Sequence, residues 1–420
     1  MIYKSMTNKI CPLPWNHLSI QQNGDFRVCC QCVYPPFARP TNKDGTIMNI
    51  KNNSIDDARN SDLHNQIREQ MLKGEEPVEC KLCWDEESIG FKSKRLHMLQ
   101  EYPIDKIIDI TPLPLTYIDI RFGNLCNLKC RSCGPSDSSL WYDDHVELSG
   151  NKEFNFYSGT NYQLEKINNV WTLKNDDFHW YEDENFWDMI RTVIPNVDRL
   201  YLTGGEPWVN KSQWRLLELC VSLNQAKNII LEYNSNLTKI PNNALELWSE
   251  FKKVNIGCSI DAIGDLANYV RYPSEWNEIE NNIKLLGTSH IRNIVAKFSP
   301  TVSVFNVLGV LDVADWLKSN RLPNIRPLPS YHILNGPDYQ NLTVLPIETK
   351  NWIIEQYELW FKNNENQRAH YMPILKFMTS ADNSHLLPKL KHQTEILDKS
   401  RNQNVSDYLP WLGKILENID

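Results

Sequence analysis

Cys126, Cys130 and Cys133 lie in the stretch Cys-Asn-Leu-Lys-Cys-Arg-Ser-Cys, directly behind a strand-like run at residues 115–121. Three thiolates can ligate three irons of a [4Fe–4S] cubane, leaving the fourth iron open to a ligand from outside the chain. A zinc site usually joins two Cys-x2-Cys units, and so compact a triplet lacks a fourth ligand nearby. The spacing therefore favours a cluster built for chemistry.

A second motif follows at Thr203-Gly204-Gly205-Glu206-Pro207, where an apolar strand at residues 200–203 breaks into paired glycines and a carboxylate. Glycines let a ligand approach the main chain, and a glutamate accepts from an ammonium group. Gly-Gly-Glu alone marks only a turn. With the cysteine loop, however, it resembles the radical S-adenosylmethionine (SAM) family. The resemblance implies that Cys126, Cys130 and Cys133 hold the catalytic cluster, that SAM chelates the open iron, and that Gly204, Gly205 and Glu206 hold its amino group. Ser259 and Arg271 match the region that often contacts the SAM carboxylate. Asn236 stands where the family often has Thr-Asn-Gly, but here the sequence is Ser235-Asn236-Leu237. Ser132 replaces the aromatic residue that usually precedes the third cysteine, so adenine contacts must come from elsewhere. The implied chemistry is one-electron cleavage of SAM to methionine and a 5′-deoxyadenosyl radical, followed by hydrogen abstraction from a substrate. An external reductant such as flavodoxin or ferredoxin would supply the electron.

Upstream, Cys11 and Cys29 fit Cys-x12-Gly-x4-Cys around Gly24, and Cys80-Lys-Leu-Cys83 adds a further pair. Residues 18–22 and 26–28 read as a hairpin turned by Asn23-Gly24, a favoured two-residue turn because both residues tolerate positive φ. Ser54 and Asp57 make a capping box, and Leu63, Ile67 and Met71 recur at helical spacing until Gly74. The stretch resembles the SPASM/Twitch auxiliary-cluster domain, which usually follows the barrel and here precedes it. The resemblance implies that Cys11, Cys29, Cys80 and Cys83 hold a second [4Fe–4S] cluster. Zinc at the same cysteines, and Cys30 or Cys32 in place of Cys29, are the alternatives. Cys220 and Cys258 lie in apolar patterns and read as core residues.

The remaining strand-like runs are residues 199–203, 228–233, 254–260 and 293–304, with a short sixth at 324–327. Helical stretches at 214–223, 244–251 and 307–317 alternate with them, which implies an α/β fold with parallel strands. The resemblance makes this a partial (β/α)6 TIM-like barrel of the radical SAM type at residues 111–330, after an auxiliary domain at 1–100. An aromatic-rich insertion at 141–195 either caps the barrel or lines a substrate cleft. Helical patterns at 352–361 and 405–416 read as a C-terminal extension at 331–420. His332, His370, His385 and His392 there lack ligand spacing.

The chain has 420 residues and 11 cysteines, too few for a disulfide scaffold of this length, and their clustering points to metal thiolates in a reducing compartment. With no secretory or membrane-length apolar run, a cytoplasmic location without a membrane partner is expected. A net charge of −8 argues against a broad nucleic-acid surface, and Lys92, Lys94 and Arg95 read as a solvated helix face. The SPASM/Twitch resemblance implies a peptide or protein substrate. A small metabolite or nucleotide, and a non-catalytic electron-transfer or binding protein, are the alternatives.

Overall fold

The computed structural model describes residues 9–32, 38–88, 90, 92–102, 104–105, 107, 109–149, 163–174 and 178–419. Its strands, in chain order, are β1 (His17–Ile20), β2 (Phe26–Arg27), β3 (Tyr117–Arg121), β4 (Leu164–Ile167), β5 (Val170–Leu173), β6 (Arg199–Thr203), β7 (Ile230–Ser235), β8 (Lys253–Cys258), β9 (Ile294–Phe298), β10 (Thr301–Val302) and β11 (His332–Ile333). The chain divides into two compact units. One comprises Met1–Leu125, Asn175–Tyr233 and Leu245–Val254; the other comprises Cys126–Lys174, Asn234–Ala244 and Asn255–Asp420.

In the first unit the strand order is β2-β1-β3-β6-β7, with β1, β3, β6 and β7 parallel and β2 antiparallel at the edge. This is the expected α/β class. The strand of the N-terminal hairpin pairs with β3 and so extends the parallel ladder. Period-two alternation gives the ladder two unlike faces. Leu18, Ile20, Ile118, Ile120, Leu200, Leu202 and Leu231 are buried on one. Ser19, Asp119, Tyr201 and Glu232 stand in register across the other. Asp119 there is fully buried, accepts from Ser19 Oγ at 2.9 Å, and is pushed up by burial, with Arg121 opposing.

The N-terminal turn differs from expectation. Gly24 has φ +84°, whereas Asn23 is not in the left-handed region. Gln21 N donates to Asp25 O at 2.8 Å and Gly24 N to Gln21 O at 2.9 Å, so the hairpin closes through residues 21–25 rather than through two residues. The capping box at Ser54 and Asp57 forms. Its helix, Ile55–Arg59, ends early because Ser61 starts a new one, Asp62–Leu72. Arg59 and Arg68 then reach out of these helices to the carbonyls of Trp15 and Pro14, at 2.7 Å in each case, tying them to the segment that carries Cys11.

Lys94 and Arg95 do not form the expected solvated face. Lys94 Nζ donates to Tyr117 OH at 2.9 Å and lies over the Tyr117 and Tyr201 rings. Arg95 is buried, pairs with Glu87 and stacks on Trp84. Signals of composition cannot distinguish a cation in water from one stacked on aromatics.

In the second unit β8 neighbours β9. The run expected at 293–304 breaks into β9 and β10 at Pro300, which has no N–H for a ladder. The expected sixth strand is a single parallel bridge, Ala296 to Ile325. Helices Gly309–Ser319, Ile347–Phe361, Arg368–Met378, Leu387–Arg401, Val405–Tyr408 and Pro410–Glu417 follow. One apolar core unites Val304, Phe305 and Val310 with Tyr357, Ile374, Leu390 and Leu412. The helix expected at 405–416 is two, parted before Pro410.

Part of the aromatic insertion is packing. Trp180, Tyr181, Phe186 and Trp187 surround Phe122, with centroids 5.6–6.3 Å away in stacked and edge-on arrangements. The aromatic run at residues 154–157 lies outside the described residues. Trp187→Ala is expected to lower stability by about 3–5 kcal/mol, since a buried indole leaves a cavity. Urea unfolding followed by circular dichroism checks this.

Candidate functional site

In the first unit Cys11, Cys29, Cys80 and Cys83 line one cavity of about 20 Å³, together with Lys94 and Arg95. The helix Asp62–Leu72 supplies Met71 to the wall, and Cys83 comes from helix Lys81–Ser88. Cys30 and Cys32 are not in the lining. Burial pushes Cys11 up to about 12, with the charge of Cys83 adding to it. Burial also raises Cys29 and Cys80 well above the thiol range, reinforced by their cysteine neighbours, and lifts Cys83 to about 11. Thiols crowded this way hold protons until a cation replaces them. Among the described residues no three His, Cys, Asp or Glu side chains group as a single metal ion requires. Four thiols around a cavity flanked by two cations fit an anionic iron–sulfur cluster.

Gly204, Gly205 and Glu206 form a tight turn against the chain leading to the cysteine triplet. Gly204 has φ +89° and Gly205 φ +53°. A Cβ on Gly205 would lie 2.2 Å from Leu125 O and 2.7 Å from Asn124 C; one on Gly204 would lie 2.7 Å from Arg121 Cβ. The close approach these glycines permit is thus made by the protein's own main chain. Glu206 N donates to Leu125 O at 2.9 Å. The buried Glu206 carboxylate accepts from Trp208 N at 3.2 Å, capping the turn Pro207–Val209. Asn210 then caps helix Lys211–Ser222 while donating to Phe122 O at 2.7 Å. Residues 122–125 are therefore pinned from both ends of the Gly-Gly-Glu turn.

In the second unit the structure brings Cys130, Cys133 and Arg271 together. A hydrogen bond from Cys133 lowers Cys130 to about 7 against burial, with help from Arg271, while Cys133 is pushed up. Arg271 Nη1 is 4.0 Å from Cys130 Sγ. Its Nε lies 2.7 Å from Asp261 Oδ2 but is not aimed at it well enough for a hydrogen bond. Burial disfavours the Arg271 charge, while Asp261 and Cys130 more than restore it. Asp261, two residues beyond Ser259 and given no role from the sequence, also accepts from Thr301 N at 2.7 Å. Cys126 Sγ accepts from Leu128 N at 3.5 Å.

Asn236 is engaged by neighbouring residues. Its Nδ2 donates to Asn127 Oδ1 at 3.0 Å, and its Oδ1 accepts from Thr238 N and Oγ1 at 3.0 and 2.7 Å. Asn127 Nδ2 returns to Thr238 Oγ1 at 2.7 Å, so this turn braces the residue beside Cys126. Leu237 occupies the left-handed region at φ +58°. The strain costs roughly 1–2 kcal/mol, less than the roughly 2–5 kcal/mol retained by a buried leucine. Ser259 N donates to Ser235 O at 2.8 Å, which fixes the strand end.

Residues 11–84 match the SPASM family, an iron–sulfur cluster-binding domain. No curated protein matches the chain. Among solved structures, native anSMEcpe with bound AdoMet is 16% identical, with 58% of this chain and 60% of that one covered at a TM-score of 0.38. Streptococcus suis SuiB bound to S-adenosylmethionine is 13% identical, with 58% and 47% covered at 0.35. SuiB bound to precursor peptide SuiA is 12% identical, with 69% and 60% covered at 0.36. The chain spans at most 60% of the length of these three structures.

Gly205→Ala is expected to destabilise the protein more than Gly264→Ala. Gly264 shares the left-handed backbone (φ +59°) but has nothing within 4 Å of its Cβ position. The alanine strain is common to both, and the clash with backbone adds about 1–3 kcal/mol at Gly205. Thermal melts of the two variants measure the difference.

Proposed function

We propose that this chain, which carries a SPASM-type iron–sulfur cluster-binding domain at residues 11–84, is a radical SAM enzyme with two [4Fe–4S] clusters. The observation that carries the reading is the Cys126/Cys130/Cys133 loop, with Arg271 Nη1 4.0 Å from Cys130 Sγ. Three thiols and a guanidinium suit a cluster with one open iron, where SAM would bind. When bound, the cluster would supply the electron for reductive cleavage of SAM, and the chemistry it would provide is hydrogen abstraction from a substrate.

The protein's own groups have plainer tasks. The Gly204-Gly205-Glu206 turn fixes residues 122–125. Glu206 is the proposed acceptor for the SAM ammonium. Arg271, beside Asp261, and Ser259 are proposed to face the SAM carboxylate, and Asn236 to contact the cofactor as well. Cys11, Cys29, Cys80 and Cys83 hold the auxiliary cluster. A peptide or protein is the proposed substrate, as the SPASM resemblance implies, and a flavodoxin or ferredoxin the proposed electron donor. The domain division proposed is 1–100, 111–330 and 331–420. No helix among the described residues is long and apolar enough to cross a membrane, and the proposed location is cytoplasmic.

Anaerobically reconstituted protein should hold about 8 Fe per chain, falling to about 4 when Cys126, Cys130 and Cys133 are all alanine. Reduced with dithionite in the presence of SAM, it should release 5′-deoxyadenosine, and Glu206→Ala should weaken SAM binding. Full iron without any 5′-deoxyadenosine, candidate peptides included, would favour a non-catalytic electron-transfer protein. Zinc at the N-terminal cysteines would overturn the auxiliary cluster alone.

A further inference from the structure

Residues 129–131, inside the cysteine triplet, have their main chain gripped on both sides. Lys129 N donates to Tyr272 O at 2.7 Å and Arg131 N to Val270 O at 3.0 Å. Their carbonyls accept from side chains far along the chain: Lys129 O from Arg401 Nη2 at 2.8 Å, and Arg131 O from Gln340 Nε2 at 2.9 Å. All of these groups belong to the second compact unit.

The side chains repeat the pattern. Arg131 lies face-on to Tyr269 at 3.6 Å, donates from Nε to Tyr269 O at 3.0 Å and from Nη2 to Gln403 Oε1 at 3.0 Å, and pairs with Asp398. Asp398 also accepts from Tyr269 OH at 3.1 Å and from Val405 N at 2.7 Å. Arg401 lies over Trp141 and Tyr272 at 4.9 and 5.0 Å, with Asp144 at 3.6 Å. Both Asp398 and Arg401 come from helix Leu387–Arg401.

Such an arrangement exceeds what packing a terminal helix needs. The Arg131 and Arg401 side chains are each 1% exposed, and a buried ion pair is a poor source of net stability compared with apolar packing. Arg131 Nη1 and Arg401 Nε and Nη1 have no protein hydrogen-bond partner among the described residues. Spare buried guanidinium N–H groups beside a thiol loop match the sulfurs of an anionic cluster.

We infer that helix Leu387–Arg401 is a latch on the cysteine loop, in which Asp398 and Arg401 are positioning residues that retain the iron and set its potential. The inference rests on the assignment of Cys126, Cys130 and Cys133 as iron ligands. Asp398 acts through Arg131, fixing the middle of the loop. Arg401 holds the carbonyl preceding Cys130 and places a positive charge nearby. The C-terminal extension is then part of the cluster site rather than a cover over it.

The test uses full-length protein carrying Cys80→Ala and Cys83→Ala, so that iron reports on the triplet. Asp398→Asn, Arg401→Gln and Arg401→Lys are compared with this parent. The readouts are iron per chain, the rate of iron loss to a chelator, and the midpoint potential from an EPR-monitored titration. Asp398→Asn and Arg401→Gln should lose iron about tenfold faster, as outer-shell changes do at metal sites. Arg401→Gln should shift the potential negative, because a positive charge is removed, and Asp398→Asn should shift it positive. Arg401→Lys should keep the parent potential but lose iron faster, because an ammonium cannot both reach Lys129 O and cover two aromatic rings. Native-like variants with parental iron retention and potentials would overturn the latch alone. A parent without iron would overturn the ligand assignment and the latch with it. Should Asp398→Asn fail to fold, the two Arg401 variants decide.

Discussion

The dominant constraint is the burial of thiols beside one another. Each thiolate formed raises the cost of the next, and burial raises it further. At Cys130 and Cys133 the neighbouring thiol and Arg271 draw Cys130 down to about 7, while Cys133 is pushed up. Asp261 Oδ2 lies 2.7 Å from Arg271 Nε and offsets the burial of its charge. The ion pair, the strand end that carries Asp261 and the Thr301 N–H bound to it form one chain of support for the loop.

The N-terminal cysteines meet the same constraint differently. Four thiols crowd a cavity whose walls are largely apolar, and Lys94 and Arg95 provide the positive charge. Lys94 is held over two tyrosine rings, and Arg95 is stacked on Trp84. These cations are preorganised. The reach of Arg59 and Arg68 back to the carbonyls around Cys11 fixes the other wall. In both compact units, guanidinium groups satisfying main-chain carbonyls are the means by which irregular cysteine-bearing segments keep one shape.

Much of this was legible in the sequence. Strand-like runs located β3, β6 and β7 because short apolar segments between turn residues mark them. The Ser54 capping box and the cysteine groupings were readable because their signals are local. What escaped was long-range. Nothing near Cys30 reports that β1 pairs with β3, and an arginine such as Arg401 looks like any helix-end cation until its carbonyl partner, 272 residues earlier, is known. Asn236 was visible as a motif residue. Its engagement with Asn127 was not, because a side-chain amide pair needs two turns to meet.

The central claim is that the Cys126/Cys130/Cys133 loop holds iron with a position open to SAM. The most direct measurement is hyperfine spectroscopy on the reduced protein, in the Cys80→Ala and Cys83→Ala background, with SAM labelled with nitrogen-15 at its amino group. Coupling of that nitrogen to the cluster's electron spin is the predicted result. A reduced cluster signal that shows no coupling to SAM added in excess would contradict it.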